Sequence, residues 1–223
     1  MTRAQTIAKR VLDITAAAVG LVILAPLFVV LAWLIQRRIG PGSPFFRQRR
    51  PGLHGRPFDV VKFRTMTNEV DAVGVLLSDA ARTPPFGWLL RRFSMDELPQ
   101  LVNVLRGEMS LVGPRPLLLE YLDRYPQRYL RRHDVRPGIT GWAQVHGRDF
   151  ATFGQRLEMD LWYVENWSFV LDLRILWMTL TMVLFRPRIA PLEQEMDEVD
   201  DVGLHPESAA FAARDGRGAD EAR

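Results

Sequence analysis

Two adjacent carboxylates, Asp96 and Glu97, are the residues of this sequence best placed to do chemistry. Ser94 precedes them and an apolar run follows, so the pattern Ser-x-x-Glu also predicts an ordinary capping box at the start of a helix. Pro99 fits that cap poorly, because it would fall beyond the first turn of the helix. The pair is therefore either a helix cap or a catalytic pair whose two carboxylates have separate roles.

Basic residues in the neighbouring motifs favour the catalytic interpretation. They occur beside the pair, at the end of a predicted strand and in Gly/Pro-rich segments: Lys62, Arg64, Arg91, Arg92, Arg115, Arg136 and Arg148. Lys62 is unusual because the chain has only two lysines among its 29 basic residues. Guanidinium and ammonium groups bind and neutralise phosphate oxygens, while a carboxylate can hold Mg²⁺ or attack phosphorus. This combination predicts phosphoryl transfer.

The composition excludes several other kinds of site. The 223-residue chain has no cysteine, which rules out disulfides, thiolate zinc sites and cysteine nucleophiles. Its four histidines are scattered at positions 54, 133, 146 and 205, so a multi-histidine metal site is not expected. Any metal would need oxygen ligands, which is typical of Mg²⁺.

Charge is distributed unevenly along the chain. Residues 187–223 carry ten acidic residues against four arginines, a net charge of −6, which leaves +9 on residues 1–186 of the chain's total of +3. The acidic tail is predicted to be disordered. The basic body suits anionic headgroups and a diphosphate. Its basic residues do not form the aromatic-interleaved stripe that nucleic acids favour, so no nucleic-acid partner is predicted.

Residues 14–35 form an uncharged, apolar segment of 22 residues. A hydrocarbon core of about 30 Å needs ~20 such residues as a helix, so the length predicts a membrane segment. Pro26 lies near its middle, where it should kink or break the helix. Basic residues flank both ends, whereas a spanning helix has an excess on one side. A kinked spanning helix and a re-entrant segment that leaves by the same face both remain open on this pattern.

The remaining elements predict a mainly α protein with a small β-hairpin. Residues 45–50 and 57–64 are β-prone runs joined by a Pro/Gly turn, which indicates the hairpin. Helices are expected over four segments, at residues 70–80, 96–106, 117–131 and 153–166. A second apolar stretch, residues 167–185, is interrupted by Asp172 and Arg174, and is either an interfacial helix or a buried core helix.

Seven ordered motifs make the chain resemble the bacterial sugar transferases, also called monotopic phosphoglycosyl transferases, in their small form. They cover residues 9 to about 185, nearly the whole body. The motifs are KRVLD at 9–13 before the Pro26 segment, GPGSPFFRQ at 40–48, KFRTM at 62–66, DELPQLVNVLRG at 96–107, MSLVGPRP at 109–116, RPGITGWAQ at 136–144 and GR at 147–148.

The resemblance implies a membrane enzyme that transfers a sugar-1-phosphate from a nucleoside diphosphate sugar to polyprenol phosphate. Asp96 would be the nucleophile that carries a covalent phosphosugar, and also the Mg²⁺ neighbour, with Glu97 as its acid/base or positioning partner. Phosphates would be bound by Lys62, Arg64, Arg91, Arg115 and Arg148. Pro26 would break a re-entrant helix.

The implied organisation has three parts: a membrane-inserted re-entrant helix at 1–39, a cytoplasmic catalytic domain with interfacial helices at 40–186, and the tail at 187–223. The expected location is the cytoplasmic face of the bacterial inner membrane, in glycoconjugate or exopolysaccharide synthesis. Uridine is the base expected from the family, and the sugar is not predicted. A homo-oligomer is possible.

Two other functions fit parts of the pattern. A membrane-bound, Mg²⁺-dependent hydrolase of nucleotide-linked or polyprenyl diphosphates would use the same carboxylates and cations, with water in place of the lipid acceptor. A basic peripheral protein that binds anionic lipid would use the positive charge of the body and no catalytic pair.

Overall fold

The computed structural model describes residues 3–146, 152–185 and 202. In chain order its helices and strands are α1 (Arg3–Arg38), β1 (Phe45–Pro51), β2 (Pro57–Phe63), α2 (Asp79–Arg82), α3 (Pro85–Arg92), α4 (Gln100–Arg106), β3 (Ser110–Val112), β4 (Gly138–Thr140), α5 (Trp142–His146), α6 (Phe153–Asn166) and α7 (Phe169–Phe185). Short 3₁₀ helices lie at Leu53–Gly55, Met95–Glu97, Leu119–Arg124 and Gln127–Asp134. The predicted class, mainly α with a small antiparallel hairpin, is confirmed.

α1 is one uninterrupted helix of 36 residues with Pro26 inside it. The predicted break of the helix at Pro26 is therefore not present. A proline removes one backbone donor, and the remaining hydrogen bonds of so long a helix continue on either side of it. Whether the segment re-enters a membrane is a separate question, and that part stays a prediction.

One face of α1 packs on the body and the other is exposed. Its buried residues are Asp13, Ala17, Leu31 and Ile35, whose spacing of three to four residues, or multiples of it, places them on one stripe of the helix. Apolar residues cover much of the exposed face: Val19, Val22, Ile23, Val29, Val30 and Trp33. In the described part of the chain, α1 is the helix whose length and hydropathy would allow it to cross a membrane.

Polar contacts fasten the first turns of α1 to the strand β3. Ser110 Oγ and the Leu111 N–H both donate to Asp13 Oδ1, at 3.0 and 2.9 Å. Lys9 Nζ donates to the Val112 carbonyl at 2.9 Å and forms an ion pair with Asp172 of α7 at 2.5 Å. The first of the predicted family motifs thus joins α1, β3 and α7.

The hairpin is confirmed and two predicted helices are corrected. Residues 70–80 hold an isolated bridge between Val70 and Leu76 and only the start of the four-residue α2. Residues 117–131 form two 3₁₀ helices instead of one α-helix. They are separated at Tyr125–Pro126, where a proline cannot continue the hydrogen bonding of the preceding turn.

α7 confirms that the second apolar stretch is helical. The Asp172 carboxylate that interrupts it in the sequence is buried, and accepts hydrogen bonds from Tyr163 Oη at 2.7 Å and Trp167 Nε1 at 3.1 Å as well as from Lys9. One face of the helix is buried at Leu171 and Ile175. Trp177, Leu180 and Leu184 are exposed on the rest of it, so the helix has both a core face and an apolar outer face.

The predicted disordered tail at 187–223 lies outside the described residues, except for Val202. That residue packs against the cluster that contains Tyr121, Tyr129 and Leu157.

Candidate active site

Asp96 and Glu97 lie on a 3₁₀ turn between α3 and α4. Ser94 has a left-handed backbone conformation (φ 54°) and makes no side-chain capping bond, so the capping-box interpretation is wrong. The predicted helix 96–106 is divided, since α4 starts only after Pro99. Its predicted end is confirmed, because Gly107 caps it with φ 82°. The turn leaves Asp96 and Glu97 only 7% and 5% exposed.

Glu97 accepts hydrogen bonds from two cations at one oxygen. Arg115 Nη2 lies 2.5 Å and Lys62 Nζ 3.4 Å from Glu97 Oε1. The Glu97 carboxylate raises the pKa of Arg115, while burial lowers the pKa of Lys62 against the opposing attraction of Glu97. Asp96 attracts both cations as well. The structure thus brings together four of the predicted site residues.

Hydrogen bonds between Asn103 of α4 and the backbone of β2 position Lys62. The fully buried Asn103 accepts the Val61 N–H at 3.0 Å and donates to the Asp59 carbonyl at 2.7 Å. A second donor bond from Asn103 reaches Glu108 Oε2 at 2.7 Å. These bonds hold the edge of β2 against the helix that follows the carboxylates.

Arg115 is positioned by close backbone packing and by a buried ion pair. A Cβ on Gly113 would lie 2.3 Å from the Arg136 carbonyl oxygen, so only glycine permits the approach of β3 to β4. Arg132 Nη2 then donates to the Arg115 carbonyl at 2.6 Å. The same nitrogen lies 2.6 Å from Asp160 of α6, which supplies the counter-charge. Arg132 and Asp160 were not predicted, and neither lies in a recognised motif.

Arg50 is a further cation at the site that the sequence analysis missed. In the antiparallel register Phe46 pairs with Lys62 and Arg50 with Phe58, so alternation places Arg50 and Lys62 on the same face of the hairpin. Burial, and next the charge of Arg115, lower the pKa of Arg50 to about 10. The alternation in Phe46-x-Gln48-x-Arg50 was the available signal.

The other predicted phosphate ligands have different surroundings. Arg64 donates to the carbonyls of Gly40 and Pro41, the latter at 2.9 Å, and so holds the turn that leads into β1. Arg91 donates from Nε to Thr65 Oγ1 at 3.0 Å and lies over the Trp88 ring. Arg148 lies outside the described residues.

The residues present fit an oxygen-coordinated Mg²⁺ that is completed by substrate. Among the described residues there is no group of three or more acidic or histidine side chains that could hold a metal alone. Mg²⁺ is usually bound through one or two carboxylates together with substrate phosphates and water. Asp96 and Glu97 are the adjacent buried carboxylates that could supply this kind of ligand, and the family resemblance implies Asp96 for that role.

The sequence matches the family model described as bacterial sugar transferase over residues 4–186. The chain belongs to the bacterial sugar transferase family. It is therefore an enzyme of the sugar-phosphate transferase type, which confirms the predicted resemblance and rules out the non-catalytic alternative.

This transferase covers most of the length of some relatives and less than half of the length of others. It is 52% identical over 179 residues to the uncharacterized sugar transferase EpsL of Bacillus subtilis, covering 80% of this chain and 88% of that protein. It is 43% identical over 190 residues to the UDP-glucose:undecaprenyl-phosphate glucose-1-phosphate transferase of Xanthomonas campestris, covering 39% of that longer protein. The exopolysaccharide production protein ExoY of Rhizobium meliloti is 39% identical over 193 residues, with 85% covered.

The charge balance at the site predicts the effect of neutralising Glu97. The substitution Glu97→Gln removes the carboxylate that Lys62 and Arg115 share, while Asp96 still attracts both cations. We therefore expect it to lower the free energy of unfolding in detergent micelles by about 2–3 kcal/mol, less than the roughly 3–5 kcal/mol for breaking a fully buried pair. Glu165→Gln is the matched control, because Glu165 pairs with Arg131 at 2.9 Å on the surface. We expect that change to cost less than about 0.5 kcal/mol. Equal losses in chemical denaturation would contradict this description of the site.

Proposed function

We propose that this transferase moves a sugar-1-phosphate from a UDP-sugar to undecaprenyl phosphate and releases UMP. The observation that carries the proposal is the buried Asp96–Glu97 turn beside Lys62, Arg115 and Arg50, which gives one carboxylate to react and three cations to hold phosphates. Relatives in Xanthomonas campestris, Caulobacter vibrioides and Escherichia coli are named UDP-glucose:undecaprenyl-phosphate glucose-1-phosphate transferases, which supports the donor and acceptor classes.

The proposed reaction has two displacements at one phosphorus. A carboxylate oxygen of Asp96 attacks the phosphorus that bears the sugar, and the bond to the bridging oxygen of the diphosphate breaks so that UMP leaves. A phosphate oxygen of the lipid then attacks the same phosphorus, which breaks its bond to Asp96 and restores the carboxylate. The sugar keeps its bond to oxygen at C1 throughout. The product is an undecaprenyl diphosphate sugar.

Glu97 acts in this scheme as a positioning residue. Its Oε1 accepts hydrogen bonds from Arg115 and Lys62. These bonds hold the two cations where the phosphates of the donor must bind. A proton acceptor is not required for the second displacement, because a phosphate monoester has a second pKa of about 6 and is mostly dianionic at neutral pH. The arrangement therefore favours positioning over the acid/base role that the sequence analysis left open.

Asp96 would also hold Mg²⁺ against the donor diphosphate. When bound, the ion neutralises charge that develops on the phosphate oxygens. Lys62 and Arg115 serve the same purpose from the protein side. Arg50, on the Lys62 face of the hairpin, adds a third positive charge.

The exposed apolar faces of α1 and α7 support a position of the site at a membrane. The exposed faces of α1 and α7 carry large hydrophobic side chains that an aqueous surface would not favour. Lys9 and Asp172 join these helices beside β3, which leads directly to Arg115. A site at the cytoplasmic face of the bacterial inner membrane would meet the phosphate of the acceptor while its prenyl tail stays in lipid.

Lipid dependence separates the transferase from a hydrolase. With UDP-glucose and Mg²⁺, we expect sustained UMP release only when undecaprenyl phosphate is added, with one lipid-linked sugar formed for each UMP. A panel of other UDP-sugars, scored by lipid-linked product, identifies the donor. Sustained UMP release without the lipid, with no lipid-linked product, would contradict the transferase proposal and support the hydrolase.

Labelling from one side of the membrane tests the re-entrant arrangement of α1. The chain has no cysteine, so Ala4→Cys and Arg49→Cys each introduce a single thiol at an exposed position, one on either side of the apolar segment. In intact cells we expect a membrane-impermeant maleimide to label neither position, since both flanks carry positive charge and stay cytoplasmic. A permeant maleimide should label both. Labelling of either position by the impermeant reagent would show that α1 spans the bilayer.

A further inference from the structure

An apolar cavity of about 220 Å³ lies directly beside Glu97. Its walls include Leu98 and Leu101, which follow the Asp96–Glu97 turn, Ile139 of β4, and Met182 and Val183 of α7. Most of its lining is hydrocarbon, although it opens next to a carboxylate that is bound by two cations. No step of the proposed phosphoryl transfer uses this cavity.

The polar side chains in the wall do not make the cavity a polar site. Thr140 Oγ1 and Thr179 Oγ1 lie 2.7 Å apart and form a hydrogen bond with each other. Thr179 Oγ1 also donates to the Ile175 carbonyl of its own helix at 2.8 Å. Gln144 also lines the cavity and donates from Nε2 to the Ile139 carbonyl at 2.9 Å. Apart from these side chains, Ser94 and Glu97, the lining is apolar and suits an apolar group.

The cavity lies next to α1 and α7, the two helices with exposed apolar faces. A Cβ at Gly20 of α1 would lie 3.3 Å from Leu101 Cδ1, so α1 runs immediately behind one wall. In α7, Thr179, Met182 and Val183 line the cavity while Leu180 and Leu184 are exposed on the outer face. The cavity therefore lies between Glu97 and α7, a helix whose outer face is apolar.

We propose that this cavity binds the isoprene units nearest to the phosphate of the polyprenol phosphate acceptor. The inference rests on the proposed function, which requires the lipid phosphate to reach the phosphorus held at Asp96. In a polyprenol phosphate one ester oxygen joins the phosphate to a branched hydrocarbon, so the two parts must bind side by side. Lys62 and Arg115 contact Glu97, and Glu97 lines the apolar cavity, so sites for both parts adjoin. An apolar cavity of about 150 Å³ holds one benzene-sized molecule, so this cavity takes one or two five-carbon units. The rest of the chain stays in the membrane.

Filling the cavity tests the assignment. Val183→Trp adds an indole ring to the wall, whereas Leu184→Trp adds the same ring to the exposed face of α7 at the next position. We expect the first variant to raise the KM for undecaprenyl phosphate at least tenfold, with the KM for the UDP-sugar within twofold of wild type. Leu184→Trp should leave both constants within twofold. Equal acceptor KM values for the two variants would overturn the assignment.

Photochemical crosslinking on the wild-type enzyme tests the same point without a variant. The probe is a diprenyl phosphate with a diazirine on its second isoprene unit. We expect crosslinks at Leu98, Leu101 or Met182 that undecaprenyl phosphate suppresses and phosphatidylglycerol vesicles do not. Crosslinks confined to exposed residues, or suppressed equally by phosphatidylglycerol, would overturn the assignment. If the wild-type enzyme makes no lipid-linked product at all, the proposed function fails; if it makes product and only these crosslinks are missing, the cavity assignment alone fails.

Discussion

The interaction on which the rest of the site depends is the contact of the buried Glu97 carboxylate with Lys62 and Arg115. A charge removed from water at this position is costly unless it is paired and hydrogen-bonded, and both partners are supplied from distant parts of the chain. Lys62 comes from the hairpin, and Arg115 follows β3. The pairing therefore fixes three separate segments around one carboxylate oxygen, and it leaves the neighbouring Asp96 in a strongly positive environment.

The elements around this contact hold it in place from both sides. Asn103 joins β2 to α4 on the Lys62 side, and the Arg132–Asp160 pair holds the backbone of Arg115 on the other. Asp13 and Lys9 of α1 bind β3, the strand that precedes Arg115, and Lys9 also pairs with Asp172 of α7. The two apolar helices and the site are thus linked through β3, because Lys9 and Asp13 bind this strand and Arg115 follows it three residues later.

The sequence predicted the hairpin, the end of α4 and the grouping of Asp96 and Glu97 with two cations, because each depends on local residue type or on a recognisable motif. It did not predict Arg50, whose place follows from the register of a hairpin that had to be seen first. Arg132 and Asp160 were missed because 28 positions separate them in the chain, and only the tertiary packing of α6 brings them together. The capping-box interpretation was wrong because the left-handed Ser94 turns the chain before α4 begins. Pro26 lies inside the continuous helix α1, whereas Pro126 separates two 3₁₀ helices where one α-helix was predicted.

The central claim is that Asp96, and not Glu97, forms the covalent bond to the sugar phosphate. The most direct measurement is mass spectrometry of the protease-digested enzyme after brief incubation with its UDP-sugar and Mg²⁺ in the absence of lipid, followed by acid quenching. We expect the peptide containing residues 96 and 97 to gain the mass of a hexose phosphate, located at Asp96 by fragmentation and lost when undecaprenyl phosphate is added. Location of that mass on Glu97, or an unmodified peptide from an enzyme that still forms the lipid-linked product, would contradict it.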